Sequence, residues 1–483
     1  MRDTTSLGIG SEALSSLVSN VVMGAVGFGG TLIFARVLGA SGLGVYQTAI
    51  AAAFVFTVLS GGVADAVRKR VSEVDVDASQ FLGLGLIAHV AFSVFVLLGA
   101  LFFLGPVAAY LGSAQVTLAA VGVVTALGLF NVTNRTLAGI GYPARSSWMD
   151  TVRSVLTIVC QVAFLWAGLE AFGLVLGLAA GTLVTALLSA KLAGVWPKAP
   201  SRSTARSVSE YARWSVPNGL LNKLYSNLDV LVVTAAVGST AAGFYAVANQ
   251  LVQPAVFLAS SISGAFEVKA SGRHSAGKEV VQDLLNSVSY SGLFAAPIFF
   301  GALAMPRAIP RTVFGGEFAA AGGALIGMAL FQICNVYVAP LQSVFEGIDR
   351  PDVIFRVNAL VTALHVPLAV ALGYEFGLLG VVAATVVAEL LRLTTYQFLA
   401  YRQFDCLAVT RPVFEQFASA LAMYAFLEGL LGSVAVRGWV VLLSLVGGGA
   451  AVYFGVLTLI SPHFRLSVRY AVPIEVGPLK TPP

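Results

Sequence analysis

Apolar residues run through this chain in long blocks separated by short polar gaps, and fourteen blocks read as helices. They cover 14–35, 44–66, 79–104, 115–137, 147–168, 171–194, 211–236, 241–266, 284–305, 319–344, 351–373, 377–399, 413–431 and 438–460. Each holds about the twenty residues that a hydrocarbon core of about 30 Å requires. The pattern predicts an all-α integral membrane protein. One block departs from the apolar rule. The stretch YARWSVPNGLLNKLYSNLDVLVVT, from Tyr211, carries Asn218, Asn222, Lys223, Ser226, Asn227 and Asp229. At 100° per residue, Asn218, Asn222, Ser226 and Asp229 fall within about 80° of one another and make a polar stripe, with Lys223 and Asn227 beside it. A charge near the bilayer centre costs roughly 2.5–3.5 kcal/mol on insertion scales, so such residues face a cavity or a partner. Cavity lining is the favoured reading; a buried structural pair fastening the helix to the bundle is the competing one. The triplet Pro217-Asn218-Gly219 predicts a break in this span.

An even number of spans puts both termini on one side, and the basic residues say which. With the N-terminus inside, about 23 of the 28 Lys and Arg residues lie on the inner side, among them Arg68-Lys69-Arg70, Arg135, Arg145, Arg153, Lys198 and Arg206. The outer side keeps Arg36, Arg307, Arg311 and Arg437, and Lys223 lies in mid-span. This is the bias expected of cytoplasmic loops. The run Trp196 to Arg206, WPKAPSRSTAR, reads as a basic cytoplasmic linker that divides the first twelve spans into six and six. The halves repeat. Gly39, Gly44 and Tyr46 match Gly238, Gly243 and Tyr245; Phe172-Gly173-Leu174 matches Phe376-Gly377-Leu378; Gly139-Ile140-Gly141-Tyr142-Pro143 matches Gly347-Ile348-Asp349-Arg350-Pro351. Three matches in order at nearly constant offset mark an internal duplication of two parallel copies. The expected organisation is an N-lobe over 1–195, a linker over 196–210 and a C-lobe over 211–405. Two further spans over 406–462 and a cytoplasmic tail over 463–483 follow.

Composition narrows the function. The chain is 58% hydrophobic and 11% charged, with mean hydropathy +0.87. Soluble domains carry about 25% charged residues, so an ordinary cytosolic enzyme is excluded. The net charge of +5 belongs to topology rather than to a nucleic-acid partner. Cys160, Cys334 and Cys406 are scattered, and His89, His274, His365 and His463 show no ligand spacing. The apolar run after Glu12 is too long for a signal core and is expected to remain as the first span.

Gly272-Arg-His-Ser-Ala-Gly277-Lys278 approaches a phosphate loop but has Glu279 where Ser or Thr must hold magnesium, and no strand precedes it. Sequons at Asn131 and Asn134 fall at an inner span end, out of reach of an external transferase. Gly173, Gly177 and Gly181 make a close-packing face. Asn20, Asn249 and Gln253 are neutral polar groups suited to interhelical hydrogen bonds. Asp150 with Arg153 and Glu389 with Arg392 are spaced to pair near cytoplasmic ends, and Asp65 and Glu428 are further embedded charges. With no HExxH, no nucleophile elbow and no large loop, neither an enzyme nor a cofactor is expected.

Ala35-Arg36-Val37-Leu38-Gly39 with Gly44-Val45-Tyr46, Leu228-Asp229, and Gly243-Phe244-Tyr245-Ala246 carry a likeness to a known family, as do the two Gly-Ile loops. The chain resembles the polysaccharide and oligosaccharide-lipid flippases of the MATE-like superfamily over nearly its whole length. That resemblance implies two six-helix lobes facing one another in a V and opening alternately inward and outward. It implies a polyprenyl- or dolichol-phosphate-linked oligosaccharide as cargo, its sugar in a polar cavity and its tail in lipid. It also brings Asp229 and Arg36 into the set of site residues, and glycan-assembly enzymes as partners. The expected site is Lys223 for phosphate, with Asn218, Asn222, Ser226, Asn227, Asp229, Arg36 and Asn249 along the path. Asp229 is alternatively a responder to H+ or Na+. A cation-coupled multidrug exporter of similar architecture is the runner-up, and a membrane glycan polymerase or ligase stands behind it.

Overall fold

The computed structural model describes residues 9–73, 76–276 and 278–471, and within these the side chains of 9–23, 214, 218, 222, 257, 258, 261, 265, 268 and 467–471 lie outside the description. Asn20, Asn218, Asn222, Gly277 and most of the expected tail are therefore beyond the residues described below. Every regular element among the described residues is helical. The first are α1 (Ile9–Phe56), α2 (Val58–Val71), α3 (Ala78–Phe102), α4 (Leu104–Leu111), α5 (Ala114–Gly139), α6 (Pro143–Trp166) and α7 (Glu170–Ala193). Then come α8 (Arg202–Ala236), α9 (Ser239–Val252), α10 (Pro254–Ser275), α11 (Val281–Ser291), α12 (Ala295–Ala304) and α13 (Ala308–Phe314). After a 3-10 turn, α14 (Gly322–Gly347), α15 (Pro351–Phe404), α16 (Arg411–Leu431), α17 (Gly438–Ile460) and α18 (Pro462–Ala471) complete the chain.

Among the described residues, nine helices are long and apolar enough to cross a membrane. With α1 and α15 each holding two, the nine account for eleven of the fourteen expected spans, and the other three coincide with α8, with α9 and α10, and with α16. Gly39 (φ 67°) and Gly377 (φ 63°) interrupt α1 and α15 with a backbone conformation that only glycine adopts at little steric cost. The second and eighth spans are each broken part-way. Thr57 separates α1 from α2, and Gln253 separates α9 from α10 ahead of Pro254. The two breaks fall at nearly the repeat offset, so the duplication is visible in local structure as well as in motif. Pro217 behaves differently from the break expected of it. It sits inside α8, which continues through it. Proline removes one backbone donor, a loss that membrane helices accommodate when neighbours rearrange the freed groups.

The chain forms two compact units. One comprises Met1–Val247 and Thr362–Val381, the other Ala248–Val361 and Val382–Pro483. In the first, α7 packs against both α5 and α6. A Cβ at Gly177 or Gly181 would strike backbone atoms of Gln161 or Thr157 on α6, so the glycine stripe is what lets these helices approach. The matched glycines of the repeat also meet in this unit. Gly44 lies against the Ser239 carbonyl, Gly243 lies against the Ala40 carbonyl, and Ser41 Oγ is 3.3 Å from Ser239 Oγ. In the second unit, α10 packs on α14, and α12 and α17 pack on α16.

The basic linker is docked. Lys198 donates its backbone N–H to the Ser79 carbonyl (3.0 Å), its ammonium lies 3.3 Å from Asp77, and Ser201 and Thr204 both donate to Gln80 Oε1. Gly83 leaves room for the Lys198 backbone. From Arg202 onward the linker is already helix, because Ser201 caps α8 by accepting from the Thr204 N–H.

Candidate functional site

Lys223, itself exposed, lies on α8 at an open cavity of about 390 Å3 lined, within the first unit, by α1, α2, α5, α6 and α8. The break at Thr57 borders it, Gly61 of α2 leaves open space beside it, and Gly62 lets α2 approach α8 at Val216. Four more ionisable side chains line the same space: Asp65 from α2, Arg135 from α5, and Asp150 and Arg153 from α6. Arg153 lies about ten residues into α6, or roughly 15 Å along its axis at 1.5 Å per residue.

The charges are partly paired. Arg135 Nε is 3.3 Å from Asp65 Oδ1, and Arg153 Nε is 3.8 Å from Asp150 Oδ1. Asn134, itself buried and held to the Ser146 carbonyl, donates to Asp150 Oδ2 at 3.4 Å. Its burial also removes it as a glycosylation acceptor. Arg153 stands 5.4 Å from the centre of the Phe130 ring. Lys223 differs from both arginines: its ammonium rests 5.3 Å from the Phe54 ring centre, and among the described residues it forms no ion pair with a carboxylate. A cation over an aromatic face gains about 0.5–2 kcal/mol, which offsets only part of its lost hydration. The cavity therefore offers one charge without a counter-ion and two arginine forks with donors to spare, an arrangement suited to a phosphate.

Asp229 lies elsewhere. It is about 120° from Lys223 around α8 and does not line the cavity. The Tyr245 hydroxyl donates to Asp229 Oδ2 at 2.7 Å, and His365 Nε2 lies 3.2 Å from Asp229 Oδ1. Tyr225 stacks at a tilt 5.6 Å from the His365 ring. Asp229 and His365 are both buried, so one carboxylate joins α8 and α9 to the first half of α15. The tyrosine matched to Tyr245 by the repeat, Tyr46, accepts from Gln161 Nε2 at 2.8 Å.

Of the other expected site residues, Asn227 donates to the Lys223 carbonyl at 2.9 Å, and Ser226 is exposed on α8. Arg36 is exposed on α1, one turn before Gly39. Asn249 is in the second unit and accepts from Gln253 Nε2 at 3.4 Å. Both spaced ion pairs form, and Glu389 is fully buried, held by Arg392 at 2.7 Å, while Arg392 also donates to Asn335. Arg135, Asp65, Asp150 and Arg153 carry no site role by sequence position, which places them towards cytoplasmic ends. The available signal was that Arg153 falls inside its apolar span; which helices adjoin α8 was not readable.

The multi-pass helical fold thus holds a charged pocket among its apolar helices. Residues 33–321 match the model of a family described as polysaccharide biosynthesis protein, and the chain belongs to that family. Both copies of the Gly-Tyr motif fall within the match. The chain is 24% identical over 392 residues to the probable low-salt glycan biosynthesis flippase Agl15 of Haloferax volcanii, covering 78% of this chain and 80% of that one. It is 24% identical over 472 residues to the probable flippase AglR of the same organism, covering 95% and 97%. Among solved structures, the lipid II flippase MurJ in an inward closed conformation shares the fold with a TM-score of 0.79 at 15% identity, over 94% of this chain and 99% of that one.

Proposed function

We propose that this protein is a flippase that carries a polyprenyl- or dolichyl-phosphate-linked oligosaccharide from the cytoplasmic to the outer leaflet by alternating access, for surface polysaccharide or protein glycosylation. The observation that carries this reading is the cavity where Lys223, Arg135 and Arg153 converge inside the membrane helices of a chain from this family. Moving a sugar hydroxyl into hydrocarbon without hydrogen bonds costs roughly 4–8 kcal/mol, so a glycan head crosses only where donors and acceptors line its path. Lys223 meets the phosphate, the arginine forks hold its remaining oxygens, and Asn131, Ser215 and the carboxylates offer partners to sugar hydroxyls. The lobes 1–195 and 211–405 are the moving parts, and the lipid tail stays in the bilayer.

Coupling to H+ or Na+ is assigned to Asp229. A buried carboxylate shared by Tyr245 and His365 supports that role, since a change in its partners alters how α8 and α9 are held to α15. The family match and the Haloferax relatives favour a glycan-lipid cargo over the multidrug-exporter reading. The protein resides in the cell membrane with both termini in the cytoplasm, a placement supported by the distribution of its basic residues. Glycan-assembly enzymes deliver the completed cargo at that face.

The test is a deletion strain in which the amount and sidedness of lipid-linked glycans are read with an impermeant sugar-modifying reagent on intact cells. Completed glycan accumulating on the cytoplasmic face, and depleted outside, is the expected result. Normal sidedness together with new drug sensitivity establishes the exporter reading instead.

A further inference from the structure

We infer that His89 is a proton-binding site in the first unit, separate from Asp229, and that its charge state sets the position of α2 at the Thr57 break. The ring is buried near the middle of α3. Its Nε2 donates to the Thr125 carbonyl at 2.9 Å, and Ser93 Oγ lies 3.4 Å from the same nitrogen. A carbonyl only accepts, so Nε2 carries the hydrogen and Nδ1 is left as the bare acceptor. Among the described residues Nδ1 has no hydrogen-bond partner. A buried acceptor left unmet is costly, and packing alone gives no reason to keep one. Nδ1 faces the place where α5 meets α2. A Cβ at Gly128 would collide with it and would lie 2.9 Å from Ser60 Oγ.

Ser60 belongs to the break itself. Its hydroxyl donates to the Thr57 carbonyl at 2.9 Å, and the Thr57 hydroxyl donates to the Phe54 carbonyl at 2.7 Å, a back-bonding pattern that bends helices. Phe54, Thr57 and Gly61 line the open cavity, so α2 separates His89 from that space. A second proton makes Nδ1 a donor and the ring a cation. No carboxylate stands ready to meet it. The elements packed on α3 are α2, α4, α5 and α8. On α2 the charges are Asp65, Arg68, Lys69 and Arg70; the first, Asp65, lies about 7.5 Å along the axis from Ser60 and is paired with Arg135. Arg135 is the one charge on α5, about 10 Å along the axis from Gly128. Tyr110 of α4 donates to the Leu231 carbonyl. Val208 and Ala212 of α8 meet α3 at Phe81, about 12 Å along the axis from His89, and there α8 bears Arg202, Arg206, Glu210, Tyr211 and Arg213. Arg206 and Glu210 pair at 3.0 Å, as do Lys198 and Asp77 at 3.3 Å by the start of α3. Further along α8, Lys223 is at the cavity, and Tyr225 and Asp229 are at His365. The protonated ring therefore favours an arrangement in which α2 pivots at the break and admits water from the cavity to Nδ1.

Control of transport by this proton rests on the flippase reading above; the proton site itself does not. The full chain, with isotope-labelled histidine nitrogens, is reconstituted in lipid and followed by solid-state NMR from about pH 8 to about pH 5. The signal absent from the His89→Gln chain is that of His89. One bare and one protonated nitrogen are expected at the upper end, and two protonated nitrogens at the lower. Ser60→Ala is expected to shift the same signal and assigns it should His89→Gln fail to fold. In parallel, translocation of a fluorescent polyprenyl-phosphate oligosaccharide is read in liposomes with an impermeant quencher, at equal pH on both sides. The proton holds one arrangement of α2, so transport is expected to slow towards acid pH. The ratio of rates between about pH 7.5 and about pH 5.5 is expected to be about threefold or more larger in the unaltered chain than in His89→Gln. A bare Nδ1 persisting to about pH 5 overturns the inference whatever the transport result. Titration of His89 with equal ratios in the two chains overturns its control of transport. Movement of the probe in neither chain overturns the flippase reading, and the spectrum alone then decides the proton site.

Discussion

Lys223 and Arg153 line one cavity but answer differently to removal. Lys223→Ala deletes a cation without stranding a carboxylate, so the folded protein loses little. Its cargo loses a charge partner, and truncating such a partner costs about 2–5 kcal/mol, enough to lower glycan export at least tenfold at equal protein level. Arg153→Gln strands Asp150 within a half-buried cluster, so it lowers thermal stability in detergent as well as export. Asp229→Ala belongs to a third kind. It leaves His365 and Tyr245 buried without their carboxylate, and each buried polar group left unsatisfied costs about 1–3 kcal/mol. The double variant with His365→Ala is expected to be less destabilised than the two single effects added together, measured by thermal unfolding. The residue types at these positions were legible as embedded charges. Their grouping was not, because Lys223 and Asp229 share one helix yet face different neighbours, and Arg135 and Arg153 reach Lys223 from helices far away in sequence.

At the scale of elements, spans were readable because a bilayer imposes a length, and the apolar blocks meet it one by one. Helix ends and breaks were less so. Proline and glycine are local signals whose outcome depends on packing: Pro217 is absorbed within α8, whereas Gly39 and Gly377 turn the chain between spans that run on as single elements. Close packing gives a direct prediction. Gly181→Leu on α7 drives a side chain into the backbone of α6 at Thr157, and overpacking of this kind costs about 1–3 kcal/mol or more, measured as a lower unfolding temperature. The start of α3 gives a pH-dependent one. The Ser79 backbone N–H, and then Lys198, hold the Asp77 carboxyl below the usual carboxylate range. A carboxyl with a depressed folded pKa contributes stability above its unfolded value of about 3.9 and loses it as pH falls through the folded one. Hydrogen-exchange protection factors, corrected for the intrinsic pH dependence of exchange, are therefore expected to fall in the first turn of α3 and in the docked linker as pH drops below about 4.

For the whole molecule, topology and transport are tested together. In a background without the native cysteines, Ser203→Cys is expected to resist an impermeant thiol reagent on intact cells, while Gly315→Cys reacts. The reverse pattern inverts the orientation and with it the direction of transport. The duplication gives the molecule its two related halves, and the structure shows their matched motifs meeting directly, Gly44 at Ser239 and Gly243 at Ala40. Gly44→Val places a branched side chain in that contact, where no space exists, and is expected to lower both thermal stability and export.

By itself the sequence determined the membrane class, the helical blocks and their order, the bias of basic residues to one side, the internal repeat and the resemblance to a family. These follow from one-dimensional properties: block length, charge position and recurrence at a fixed offset. The tertiary structure decided which charges face one another. A carboxylate and a guanidinium on different helices pair only when the fold brings those helices together, so the three-cation, two-carboxylate cavity and the separate Asp229–His365–Tyr245 cluster emerged only from the packing of α2, α5, α6, α8, α9 and α15.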